Sequence, residues 1–217
     1  MLSSRPDAII CAHNEEATIG PVVDACINSG SLGRVFVVAD KCTDNTAAVA
    51  GEHGATVLYS IAGDKGSAMK VGLANSTSQR VCLIDADLTG LRPDHISKLC
   101  ELHRDGMVVG VRGGAINEGR SFSLPGLPPI GGERVVPADL LKSIQLDNAG
   151  YELEMRINAA VAHAGEPTHY VWMDGVDQVR GYDKWNFGAA LRADAKRWWQ
   201  VFAGLRHYLA PTQTENQ

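Results

Sequence analysis

Five short runs in the first half of the chain are apolar almost without interruption: Ala8-Ile9-Ile10-Cys11, Val35-Phe36-Val37-Val38-Ala39, Thr56-Val57-Leu58-Tyr59, Val81-Cys82-Leu83-Ile84 and Met107-Val108-Val109-Gly110-Val111. Between them lie longer segments with apolar residues at three- and four-residue spacing, as at Ile19, Val22, Val23, Cys26 and Ile27. This alternation predicts five strands with helices over 17–29, 43–53, 65–75 and 93–104. Strands that are apolar on both faces and separated by helices belong to a mostly parallel sheet flanked by helices, an α/β fold.

The pattern changes after the fifth strand. Residues 113–132, GGAINEGRSFSLPGLPPIGG, are rich in Gly and Pro and predict a long loop. Helices are expected at 138–145 and 151–164, a strand at 170–173 and a last helix over about 185–208, followed by a polar tail. Neither an internal repeat nor a linker interrupts the chain, so residues 1–217 read as one domain with halves at 1–112 and 113–217.

Charge and cysteine content narrow the partners. A formal net charge of -5 gives no general attraction to nucleic acid, which is not expected as a partner. The five cysteines form neither a CxxC pair nor a Cys/His cluster with zinc spacing, and suit small core residues in a reducing compartment. Arg5-Pro6-Asp7 interrupts the N-terminus before any long apolar stretch, so no signal peptide is expected. No run reaches the roughly 20 apolar residues of a membrane span. A cytoplasmic protein is expected.

In a parallel sheet, ligands bind beyond the carboxyl ends of the strands. Four such ends carry polar loops here: AHNEE (Ala12 to Glu16), ADKCTDNT (Ala39 to Thr46), AGDKGSA (Ala62 to Ala68) and DADLT (Asp85 to Thr89). Asp85-Ala86-Asp87 places two carboxylates one residue apart at a strand tip. They either splay into water or hold a hard cation such as Mg²⁺ or Mn²⁺, which takes carboxylate oxygens and substrate phosphates. Gly63 and Gly66 allow close backbone approach, and Lys65 opens a helix whose N-terminus favours an anion. Asn14 or Glu15 could cap the first helix, and Thr43 and Asp44 the second.

Taken in order, AHNEE, DKCTDNT, DKGSAMKVGL and DADL resemble the nucleotide-sugar half of the family-2 glycosyltransferases, and GGERVVPADLL with GYELEMRINAAV resembles their acceptor half. The nearest types are polyprenyl-phosphate sugar transferases and glucosyl-3-phosphoglycerate synthases. The resemblance implies a GT-A fold, Rossmann-like, with a nucleotide-sugar-binding half (1–112) and an acceptor half with a C-terminal helix (113–217). It implies a metal-dependent hexosyltransferase moving a sugar from a nucleoside-diphosphate sugar to a small-molecule or polyprenyl-phosphate acceptor. A nucleotidyltransferase and a non-catalytic nucleotide-sugar-binding protein are the alternatives. The first lacks its glycine-rich loop after strand one; the second would need the carboxylates and lysine of the rim to be idle.

The resemblance also assigns residues. Ala12, His13, Asn14 and Glu15 would cradle base and ribose, Asp40 the base, and Lys65 with Gly66 the diphosphate. Asp87 would bind the metal, with Asp85 assisting and Ala86 between them. Arg134 would lie near acceptor or diphosphate. Glu154, with Asp87 and Lys65, would be catalytic, on the sugar side; Glu152 cannot face the same point from two residues away on a helix. Two departures stand out. Thr89 replaces a Gln usual in the polyprenyl-phosphate enzymes. The segment in which the phosphoglycerate enzymes supply a His to the metal holds Gln178 and Val179, so the cation would be held mainly by Asp87 and the diphosphate. The last helix mixes Trp185, Trp198, Trp199 and Phe202 with Lys184, Arg192, Lys196, Arg197 and Arg206. It suits either peripheral contact with the inner membrane face or packing, on the sheet or on a second subunit in a homodimer.

Overall fold

The computed structural model describes residues 5–101, 105–112, 131–147 and 152–179. Seven strands form one sheet in the order β3-β2-β1-β4-β7-β6-β8. They are β1 (Asp7–Ala12), β2 (Val35–Asp40), β3 (Thr56–Ser60), β4 (Arg80–Asp85), β6 (Met107–Arg112), β7 (Arg134–Pro137) and β8 (Thr168–Met173). A separate two-stranded ladder pairs β5 (Leu88–Thr89) with β9 (Asp177–Gln178). The pairs β1–β2, β1–β4, β2–β3 and β6–β8 are parallel, while β7 runs antiparallel to both its neighbours.

The period of two along each strand divides the core between the faces. Ala8, Ile10, Cys82, Ile84, Val108 and Val135 point to the face covered by α1 (Ile19–Asn28) and α4 (Pro93–Glu101). Ile9, Val81, Leu83, Val109 and Val136 point to the other, covered by α3 (Lys65–Asn75), α5 (Ala138–Ser143) and α6 (Leu153–His163). Parity therefore carries Asp85, two residues beyond Leu83, onto the α3/α6 face, and sends Ala86 into the α1/α4 core.

Helix α3 has the expected bounds, with Asp64 as N-cap accepting from Ser67 N–H at 2.9 Å. Helix α2 (Thr46–Glu52) starts three residues later than its pattern suggests, because the Asp44 carboxylate accepts from Thr46 N–H at 3.0 Å. Asp44 thus takes up the first free donor of the helix, whereas Thr43 bonds elsewhere, to Asn14. Strands β5, β7 and β9 carry no sequence pattern of their own. The expected helix over 185–208, with its membrane or dimer contacts, and the loop over 113–130 lie outside the described residues. Among the described residues no helix is long and apolar enough to cross a membrane.

Candidate active site

Strands β1, β2 and β3 progress outward on one side, and β4 returns to pair with β1 on the other. That reversal is the topological switch point at which open α/β sheets bind ligands. The register places Cys11 beside Asp85 at this crevice. Lys65, at the start of α3, donates to Asp85 Oδ1 at 2.8 Å and to Glu154 Oε1 at 3.0 Å. The Lys65 side chain remains 33% exposed while Asp85 and Glu154 are 14% and 10% exposed, so the lysine is the most exposed member of the cluster. Glu152, one helical offset away, pairs with Arg156 at 3.4 Å instead.

Charge keeps Asp85 and Lys65 ionised. Burial alone would push the Asp85 carboxyl up, but the Lys65 ammonium, aided by Arg112 and Arg134, holds it below the usual carboxylate range. Burial works against the Lys65 charge, yet Asp85 and Glu154 together hold that ammonium well above its ordinary value.

Asp87 faces a different partner. Gln178 Nε2 donates to its two oxygens at 2.8 and 2.9 Å. The paired aspartates therefore point to two neighbouring functions: Asp85 orients a cationic side chain and Asp87 lies under the β5/β9 ladder. Among the described residues no group of three or more His, Cys, Asp or Glu side chains gathers into a metal cage. A single carboxylate at the rim nevertheless fits Mg²⁺ or Mn²⁺, which take carboxylate oxygen and keep waters and substrate phosphates as their remaining ligands. Asp87 would hold such an ion, with Asp85 close by in sequence.

The first two rim loops are laced together. His13 Nδ1 lies 2.7 Å from the Asp40 carbonyl, and Asn14 Oδ1 accepts from Thr43 N–H at 2.7 Å. Glu15 N–H donates to Thr46 Oγ1 at 2.8 Å, and Glu16 Oε2 accepts from Asn45 N–H at 2.9 Å. Asn14 sits at φ 58, a left-handed conformation that Asn tolerates better than most residues. Neither Asn14 nor Glu15 caps α1 with its side chain; Thr18 stands at that N-cap and also makes no side-chain cap bond. Asp40 uses Oδ1 to accept from Gly63 N–H at 3.0 Å, joining the third loop to the second.

Four expected site residues are placed differently from the rest. The Ala12 and Ala86 side chains are buried in the core, so only their backbone can meet a ligand. Gly66 is required by packing: a Cβ there would collide with the Leu146 carbonyl, so its bare Cα serves the contact between α3 and the 146 loop. Arg134 has no exposed surface. Its guanidinium donates to the Gly131 carbonyl, to Asn158 Oδ1 at 2.9 Å and to the Glu154 carbonyl at 3.5 Å. It thus ties α6 to the Gly131-Gly132 turn, beneath Glu154, and lines the same small cavity as Lys65, Asp85 and Glu154. Gly132 has no counterpart in the sequence reading: a Cβ there would run into both Asp85 carboxylate oxygens. Arg112 is the other addition, with no signal in its strand beyond being a charge at the end of an apolar run, while Gln178 stands in the segment noted above for lacking a His.

A mostly parallel sheet flanked by helices, with this cluster at its switch point, defines the protein as an α/β fold of the GT-A type. The sequence profile of Glycosyl transferase family 2 matches residues 7–152, and the chain belongs to that family. It is similar to the 4,4'-diaponeurosporenoate glycosyltransferase of Staphylococcus aureus (strain USA300), at 35% identity over 97 residues, 42% of this chain and 26% of that protein. The match thus spans about a quarter of that relative's length. Among solved structures it resembles glucosyl-3-phosphoglycerate synthase from Mycobacterium tuberculosis in complex with Mg²⁺ and uridine diphosphate (UDP), with a TM-score of 0.74 and 23% identity over 97% of this chain and 82% of that one. The same enzyme with Mn²⁺, UDP and phosphoglyceric acid gives 0.72 and 23%, over 97% and 81%. At these identities the likeness establishes the GT-A fold.

Proposed function

We propose that this protein is a divalent-metal-dependent glycosyltransferase that moves a sugar from a nucleoside-diphosphate sugar to a small-molecule acceptor. The observation that carries this reading is the Lys65 ammonium, fixed between Asp85 and Glu154 at the sheet's switch point on a side chain that is 33% exposed. Cleaving a sugar–phosphate bond builds negative charge on the departing diphosphate, and a preorganised cation stabilises charge that grows in the transition state. Lys65 supplies that cation without reorganisation, because its two carboxylate partners already hold it in place. Asp87 would hold Mg²⁺ or Mn²⁺, whose chemistry when bound is Lewis-acid stabilisation of the same diphosphate.

Glu154 is the second carboxylate on this ammonium, 3.0 Å from it, and its role follows from the acceptor. For a hydroxyl acceptor it is the candidate to take the proton; for a phosphate acceptor, already ionised, it orients sugar hydroxyls. A small polar acceptor is supported by the similar solved enzyme, whose complexes contain phosphoglyceric acid. The laced loops at His13, Asn14 and Asp40 form the floor for base and ribose. The working location is the cytoplasm, where nucleotide sugars are the donors.

The test is a thermal-shift panel of UDP, GDP, ADP and TDP, with and without Mn²⁺, on the parent protein and Asp87→Ala, followed by nucleotide release from the matching sugar donors. One nucleotide is expected to stabilise the parent, more strongly with Mn²⁺, and the metal increment is expected to vanish in Asp87→Ala. Nucleotide binding without donor cleavage, with phosphoglyceric acid or glycerol 3-phosphate as acceptor, would mark a binding protein instead. No response to any nucleotide would overturn the reading.

A further inference from the structure

The backbone brings Gln178 over Asp87. Leu88 pairs with Gln178 in the β5/β9 ladder, and Val179 N–H donates to the Asp87 carbonyl at 2.9 Å. With the chain so fixed, the orientation of the amide is left to the two side chains at its ends. Its nitrogen meets both oxygens of Asp87 at 2.8 and 2.9 Å. Its oxygen accepts from Arg112 Nη1 at 3.1 Å. Arg112 Nε in turn lies 3.7 Å from Glu133, a carboxylate with no exposed surface.

A guanidinium has donors only, whereas an amide has a donor end and an acceptor end. Arg112 therefore dictates which end of Gln178 faces Asp87, since the turned-over amide would set nitrogen against nitrogen. In the arrangement seen, Asp87 meets an N–H, the wrong polarity for a cation's second ligand. Turned over, the same amide would present an oxygen of the kind hard divalent cations take. Arg112 is 17% exposed and stands among Glu133, Asp85, Asp87 and Asp177, at the end of β6 on the rim. It is the guanidinium that a phosphate-bearing ligand at Asp87 would meet.

We propose that Gln178 is a reversible oxygen donor to a divalent cation at Asp87, with Arg112 governing its orientation: an anion that draws Arg112 off Gln178 lets the amide turn, so cation and diphosphate bind cooperatively. This rests on the metal-and-diphosphate reading above. Coupling of this kind is reciprocal, so the cation strengthens diphosphate binding by the factor by which the diphosphate strengthens cation binding.

The experiment is calorimetry on the full chain: Mn²⁺ alone, then UDP, with GDP as a parallel arm, each in EDTA and in Mn²⁺. It is run on the parent, Gln178→Ala and Gln178→Glu, with melting curves as the check on folding. In the parent, Mn²⁺ alone binds weakly and tightens the nucleotide about 10-fold or more. A carboxylate at 178 offers oxygen in every orientation, so Gln178→Glu binds Mn²⁺ alone about 10-fold more tightly. Its metal-to-nucleotide coupling, and that of Gln178→Ala, fall at least about threefold below the parent's. A purely structural Gln178 would leave the coupling ratio of both folded variants at the parent's value, and that result overturns the proposal alone. Failure of the parent to bind either nucleotide with Mn²⁺ overturns it together with the transferase reading.

Discussion

Asp85 and Glu154 meet through Lys65: one ammonium donates to both carboxylates, at 2.8 and 3.0 Å, and joins the tip of β4 to the first turn of α6. The lysine therefore does two things, neutralising a pair of carboxylates and offering charge to a ligand. Its replacements separate them.

Lys65→Ala is expected to lower kcat by about 10²–10³-fold, the range for removing one preorganised donor from a developing negative charge. Lys65→Arg should recover part of the nucleotide affinity but little of kcat, because a planar fork does not place one point charge between two carboxylates. Steady-state kinetics with the donor identified by the nucleotide panel provide the check.

Two glycine substitutions distinguish site from scaffold. Gly132→Ala sets a methyl group against both Asp85 oxygens and should abolish metal-enhanced nucleotide binding, at a cost in stability of about 1–3 kcal/mol. Gly66→Ala meets the Leu146 carbonyl and should cost at least as much stability, through a backbone that cannot yield. Urea unfolding alongside nucleotide titration reads both effects; binding by Gly132→Ala at the parent's affinity would refute the close fit over Asp85.

Arg134→Met keeps most of the buried volume but removes the donors to Gly131 and Asn158. Leaving those acceptors without a partner is expected to cost about 1–3 kcal/mol each. Activity should fall further than stability explains, because Glu154 loses its support from below. The comparison is kcat against the urea midpoint, with Arg134→Lys partly restoring both.

Glu133 makes a distinct pH signature. Burial, opposed by the Arg112 guanidinium, raises its carboxyl from 4.5 to about 7. The folded state then binds more protons than the unfolded state between those values, so this group makes stability fall as pH rises from about 4.5 to about 7, and level off above. Asp85, held low, acts in the opposite sense: its contribution is present above the unfolded carboxylate range and is lost as pH falls through its depressed folded value. Glu133→Gln should flatten the decline between pH 5 and 7, removing on the order of 2–3 kcal/mol of variation. Chemical denaturation across pH is the measurement, and an unaltered slope in Glu133→Gln would rule out its titration as the source.

Much of this was readable in the residues themselves. Continuous apolar runs located five strands, and the residue pattern gives α3 its observed bounds at Lys65 and Asn75. The rim followed from the placement of loops after strands. What escaped was determined by contacts distant in sequence. Val135-Val136 is too short a run to announce β7, which forms because β4 and β6 offer edges on either side. Gln178 sits in a two-residue ladder with no periodicity at all. The role of Arg134 is invisible in GGER, where a guanidinium looks as ready for an anion as for Asn158; only burial separates the two. Gly132 could have been suspected from a double glycine next to charged residues, but its contact with Asp85 spans two strands.

Strand β7 has a further consequence. By running against both β4 and β6, it splices residues that follow the glycine- and proline-rich stretch into the middle of the sheet that carries the rim. Among the described residues, the segments before and after that stretch are consequently welded along a shared hydrogen-bonded seam, which leaves no hinge between β4, β7 and β6. Whatever tightening accompanies turnover has to come from side chains and surface loops moving over a stationary floor.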